Sequence, residues 1–145
     1  MKRILVIVGV LGLAAMAWAI SHRAVGRGVV EGGSFAGAHF DFFVQQPQDP
    51  NHKNSFLFHD DGMFIPVRIV VAQINRLGFE RHAVHFSGRG TYNEDTPVLV
   101  TVSAYDGGRA GHDRFRMVAR DNQGNVVHSA EGNVIEGDIA IHHMR

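Results

Sequence analysis

Residues 88–120, GRGTYNEDTPVLVTVSAYDGGRAGHDRFRMVAR, decide the fold. Val98, Val100, Val102 and Ala104 alternate with Leu99, Thr101, Ser103 and Tyr105. A period of two turns successive side chains to opposite faces, so this is a strand with one apolar face. Asn93-Glu94-Asp95 before it is a turn, and the run from Asp106 to Gly111 after it is a glycine-rich loop. Phe115, Met117 and Ala119 then build the next apolar face, opposite Arg114, Arg116 and Arg120. The stretch is strand, turn, strand, loop, strand.

The same pattern extends upstream. His82, Val84, Phe86, Gly88, Gly90 and Tyr92 share one face of a strand over 81–92. Gly88 and Gly90 thin that face, which permits strong bending or close backbone approach. Ala38, Phe40, Phe42 and Val44 alternate through Ala38–Gln46, and Phe56 and Phe58 line one side of a short strand at Ser55–Asp60. Met63, Ile65, Val67, Ile69 and Val71 predict a further strand, with Pro66 marking an edge or a bulge. Ile69, Ala72, Gln73 and Arg76 also fit helical spacing, but β-branched enrichment favours strand. Val29–Gly33 is a first strand running into a Gly-Gly bend. Downstream, Val126–Ser129 returns from a turn at 121–125, and Val134–His142 closes with Ile135, Ile139 and Ile141 on one face.

These elements predict an all-β domain of about eight to nine short antiparallel strands, a sandwich or a closed barrel. Periodicity does not choose between the two. The chain has 145 residues, enough for one domain. It carries 14 basic and 14 acidic residues without a single-sign block, so there is no electrostatic case for nucleic acid. It has no cysteine, which removes disulfides, thiolate chemistry and cysteine metal sites.

Lys2 and Arg3 precede an uncharged run from Ile4 to Ala19 that ends Ala17-Trp18-Ala19. Charged start, apolar run and small-x-small end are the parts of a secretory signal peptide. The organisation expected is a signal helix at 1–19, a linker at 20–28 and a β domain at 29–145. Cleavage near Ala19 implies export to the periplasm, the cell envelope or the medium. The membrane enters only through an uncleaved signal segment.

In order, GRGTYN, DGG, DRFR, D-x-x-G-x-V-V and G-D-I-A-I-H form a further pattern. It resembles the post-COAP domain of bacterial exported proteins over roughly Val30 to His142. The matching residues include Gly88, Gly90, Asn93, Asp106, Gly107, Gly108, Asp113, Phe115, Arg116, Gly137, Ile139 and His142. The chain departs from the family at Glu94, where Asn-Gly is usual in the turn, and at Arg120, where an aromatic often stands. The resemblance implies a β-rich module, alone or appended to surface proteins, and carries over no catalytic residue.

The ten histidines invite a metal site, but His82 and His85 face opposite sides of a strand, as do His142 and His143. The turns at 58–62 and 121–125 lack the carboxylate spacing of a calcium loop. Ser87, Ser103 and Ser129 have no nucleophile-elbow context, and His59-Asp60 and His112-Asp113 point apart in extended chain. No cofactor is expected. The remaining candidate is a polar stripe of His85, Ser87, Arg89 and Thr91, which either faces water or lines a barrel cavity. Asp113 and Arg116 are expected to fix the glycine-rich loop by hydrogen bonds and ion pairing. The function expected is a non-catalytic structural or interaction module with a protein or glycan partner. Small-molecule binding in a barrel cavity and hydrolysis are the alternatives.

Overall fold

The alternation of residues 88–120 continues around the molecule until the sheet meets itself. The structure, a computed structural model, describes residues 21–31, 37–62 and 64–144. The expected signal segment, the expected Gly32-Gly33 bend and Met63 therefore lie outside the described residues. The strands are β1 (Ser21–Val30), β2 (Ala38–Gln46), β3 (Ser55–Asp60), β4 (Val67–Phe79), β5 (Ala83–Tyr92), β6 (Thr96–Tyr105), β7 (Arg114–Arg120) and β8 (Val126–Met144). Each pairs antiparallel with the next, and β8 returns to β1, so the architecture is a closed barrel. Closure leaves the sheet no edge strand.

The inward positions form the core. Phe40, Phe42, Phe56, Phe58, Phe86 and Phe115 are all buried there, with Ile69, Met117, Ile139 and a set of valines. Phe40 stacks on Phe115 across the interior at 4.3 Å, and Phe42 meets Phe86 at 5.4 Å. The small Ala24, Ala104 and Ala119 sit among them. Burying each phenylalanine contributes roughly 1.5–3 kcal/mol. Outward positions carry Arg68, Arg89, Arg114, Arg116 and Arg120, all exposed. Apolar inside and charged outside is the reverse of a barrel that faces lipid.

Three elements differ from the sequence reading. Residues 21–28, expected as linker, are the body of β1. Their composition hides the strand because the inward places are the small Ala24 and Gly26, and the Phe42 ring lies over Gly26. β4 starts at Val67, after Pro66, and runs on to Phe79. Two bulges against β5, between Val70 and Gln73 and between Ile74 and Arg76, break its period of two. They account for the spacing that also fitted a helix. On β5 the opposing residues are Gly90 and Gly88. A Cβ there would lie 2.1 Å from the Val70 carbonyl oxygen and 2.3 Å from that of Gln73, respectively.

The third difference is at the end of the chain, where one 19-residue strand replaces two short ones. Its register against β1 skips Ile135, because Val29 opposes Glu136 and Val30 opposes Val134. The skip turns Ile135 outward, 61% exposed, while Ile139 stays in the core at 1%. Gly137, at φ +90°, carries the bend.

Candidate functional site on the outer face of strands five to eight

Hairpin register assembles this site. The turn at 93–95 sets Tyr92 opposite Thr96, which places His85 opposite Ser103. Ser103 opposes Arg116 on β7, and Arg116 opposes Glu131 on β8. Four polar side chains from four strands thus form one row on the outside of the barrel. His85 Nδ1 lies 2.9 Å from Ser103 Oγ, and His85 Nε2 lies 3.4 Å from Glu80 Oε1 in the β4–β5 turn. Arg116 Nε is 3.8 Å from Glu131 Oε2. A neighbouring row brings Tyr105 opposite Arg114. Arg114 and the Tyr105 hydroxyl have no protein partner among the described residues. These groups border an open groove of about 590 Å³.

The sequence-predicted stripe thus faces water. His85 and Arg89 are exposed, and Ser87 is half-buried at the surface. His85 and Ser87 border grooves, whereas Arg89 and Thr91 lie further along β5. Ser103, Arg116 and Glu131 complete the row. The signal for Ser103 was in the chain, because a three-residue turn after Tyr92 dictates every partner along β5 and β6.

Glu80, His85 and Ser103 touch in the order of an orienting carboxylate, base and nucleophile. The setting differs from a hydrolase site. Glu80 and His85 side chains are 71% and 48% exposed, and the serine sits within a regular strand rather than at a strained turn. His59 and Asp60 point to opposite faces, His59 outward and Asp60 inward at 2% exposure.

The family-matching residues are mainly architectural. Asp113 Oδ1 accepts from the Gly107 amide at 2.9 Å and Oδ2 accepts from the Ile139 amide at 2.7 Å. Asp106 accepts from the Gly108 amide at 2.9 Å and from the Ile141 amide at 3.4 Å. Beyond Asn133, β8 pairs only with β1, so these carboxylates cap amides that no neighbouring strand reaches. Asp138 sits beside them. Desolvation, then a hydrogen bond and the charge of Asp113, push its pKa above the ordinary carboxylate value. The expected hydrogen bonds to the loop are present, but Arg116 takes no part in them; it points away to Glu131. The Asn93 side chain accepts from the Arg68 amide at 2.7 Å and ties the turn to β4. Phe115 and Ile139 are core, while His142 is exposed on β8.

A second groove of about 410 Å³ crosses β1, β2 and β3. Its Arg27 pairs with Asp41 at 2.7 Å, and His39 stacks on His59 at 4.6 Å. At the mouth inside the 121–125 hairpin, His128 packs on Phe58 at 5.3 Å. Burial lowers its pKa, partly offset by the Asp60 charge.

No family model matches the chain, and no curated protein or solved structure is significantly similar to it. The post-COAP resemblance rests on the quoted motifs alone.

Proposed function

We propose that the chain is an exported, non-catalytic interaction module that takes a glycan or an extracellular protein along the outer face of β5–β8. The observation that carries this reading is the division of polar groups in the barrel. The interior is occupied by the core, so the cavity reading has six phenylalanines to displace. Outside, Tyr105 and Arg114 stand unpaired among the described residues, beside the His85–Ser103–Arg116–Glu131 row. An aromatic ring next to guanidinium and hydroxyl groups on an open groove suits a hydroxyl-rich or carboxylated polymer. Export is supported by the signal-like segment at residues 1–19. Membership of the post-COAP family is part of the same proposal.

The test is a glycan array and an envelope-protein panel probed with the full chain and with Arg114→Ala. A bound partner is expected, with binding at least about tenfold weaker in the variant and an unchanged melt. Equal binding by both chains, or none by either, would count against the outer face. Amino-terminal sequencing after expression in an exporting host should read Ile20 first; retention of Met1 in a chain recovered from the cytoplasmic fraction would remove the export reading.

The Ser103–His85–Glu80 contacts favour hydrolysis as a second reading. A serine-directed fluorophosphonate decides it. No labelling is expected for the interaction module, whereas labelling of Ser103 that His85→Ala abolishes would establish an activated serine.

A further inference from the structure

The seam where the barrel closes carries a histidine pair that neither the groove nor the core uses. His22 on β1 and His143 on β8 are directly opposed, 121 residues apart in sequence. Their Nδ1 atoms lie 2.7 Å from each other. The His143 Nε2 lies 3.1 Å from the Arg81 carbonyl oxygen, which accepts only, so Nε2 is the protonated nitrogen. With a neutral His143 ring this leaves Nδ1 with its lone pair, and the 2.7 Å contact is then a hydrogen bond donated by His22 Nδ1. The His22 ring is held against Phe79 at 5.3 Å.

We infer that His22 and His143 form a binding site for a divalent transition-metal ion, with Cu(II) the best fit. A carbonyl that fixes the far nitrogen of an imidazole is the usual support of a histidine ligand. Two nitrogens at about 2.0–2.1 Å from one metal, at a right angle, lie about 2.9 Å apart. The observed 2.7 Å is a hydrogen-bond separation that a small ring movement brings to that value, and the preference for Cu(II) rests on its place at the top of the divalent affinity order for imidazole nitrogen. Metal would replace the one proton shared between the rings, after a rotation of each ring that aims both lone pairs at a common point. Among the described residues no third histidine, cysteine or carboxylate joins the pair, so water completes the coordination. Because the ligands belong to the two strands that close the barrel, the metal fastens the seam. The inference is independent of what the outer face of β5–β8 takes.

The chain is titrated with CuCl2 and ZnCl2 by calorimetry, with Cu(II) spectra recorded by electron paramagnetic resonance. Expected are one equivalent of Cu(II), coupling to two imidazole nitrogens, weaker Zn(II) binding and a melting temperature raised by Cu(II). His22→Gln and His143→Gln should each weaken binding by at least about tenfold and abolish that rise, read against each variant's own metal-free melt. Absence of stoichiometric Cu(II), or binding that survives both substitutions, would overturn the site. So would loss in His22→Gln with retention in His143→Gln. That result would place the metal on His22 and the free amine of a chain beginning at Ile20.

Discussion

On β5, Val84 and Phe86 point into the barrel while His85 and Ser87 point out, and the two sets answer to different constraints. The inner set must fill a fixed volume shared with the phenylalanines of β2 and β3. The outer set is free of that demand, and there the polar row assembles from four strands. Side-chain volume decides the inside, whereas register decides what meets on the outside. The difference can be tested by substitutions on each surface.

The largest effect is expected inside. Phe58 is fully buried between β2, β4 and the mouth of the barrel. Phe58→Ala should cost about 3–5 kcal/mol, read from denaturant unfolding. A cost below about 1 kcal/mol would mean that the interior is not packed as described. Next comes the loop that caps β8. Asp113→Ala removes the acceptor of two amides, Gly107 and Ile139, and should cost about 2 kcal/mol. Arg116→Ala, which leaves that loop alone, should change stability by less than about 0.5 kcal/mol. A comparable loss in both would restore the loop role expected for Arg116.

The turn offers a change of opposite sign. Glu94 adopts φ 73°, a left-handed conformation that costs a residue with a Cβ about 1–2 kcal/mol. Glu94→Gly should therefore stabilise the chain by about 1 kcal/mol, seen as a higher melting temperature. This is the position where the post-COAP pattern has glycine, so the departure carries a cost.

The smallest effect concerns pH. The folded pKa of His128 lies below its ordinary 6.5, so the unfolded chain binds the proton more readily. Its contribution is complete above pH 6.5 and is lost as pH falls through the folded value, with Asp60 limiting the loss. His128→Gln should flatten the stability profile just below pH 6.5, measured by denaturant midpoints from pH 7.5 to 5. An unaltered slope would remove His128 from the acid response.

Much of the barrel is legible in the chain where one face is apolar and unbroken. β2 and β3 have the boundaries that alternation predicts. It falters where an element departs from strict alternation for a structural reason. β1 presents Ala24 and Gly26 where a strand usually shows bulk, because Phe42 fills that space from the next strand. β4 and β8 carry bulges that add a residue and reverse the facing, which sends Ile135 outward. The site was half legible. His85 and Ser87 stand out along β5, but Arg116 and Glu131 join them only through two further hairpin registers. His22 and His143 meet only through closure, which no local pattern announces.

Closure is the claim on which the inside, the outside and the histidine seam all depend, and nuclear Overhauser spectroscopy tests it most directly. The account predicts interstrand contacts from Ala24 to Ile141 and from Gly26 to Ile139, together with those from Ala24 to Val44 and from Gly26 to Phe42. A spectrum with the β1–β2 contacts but without the β1–β8 contacts would contradict it and describe an open sheet or a sandwich.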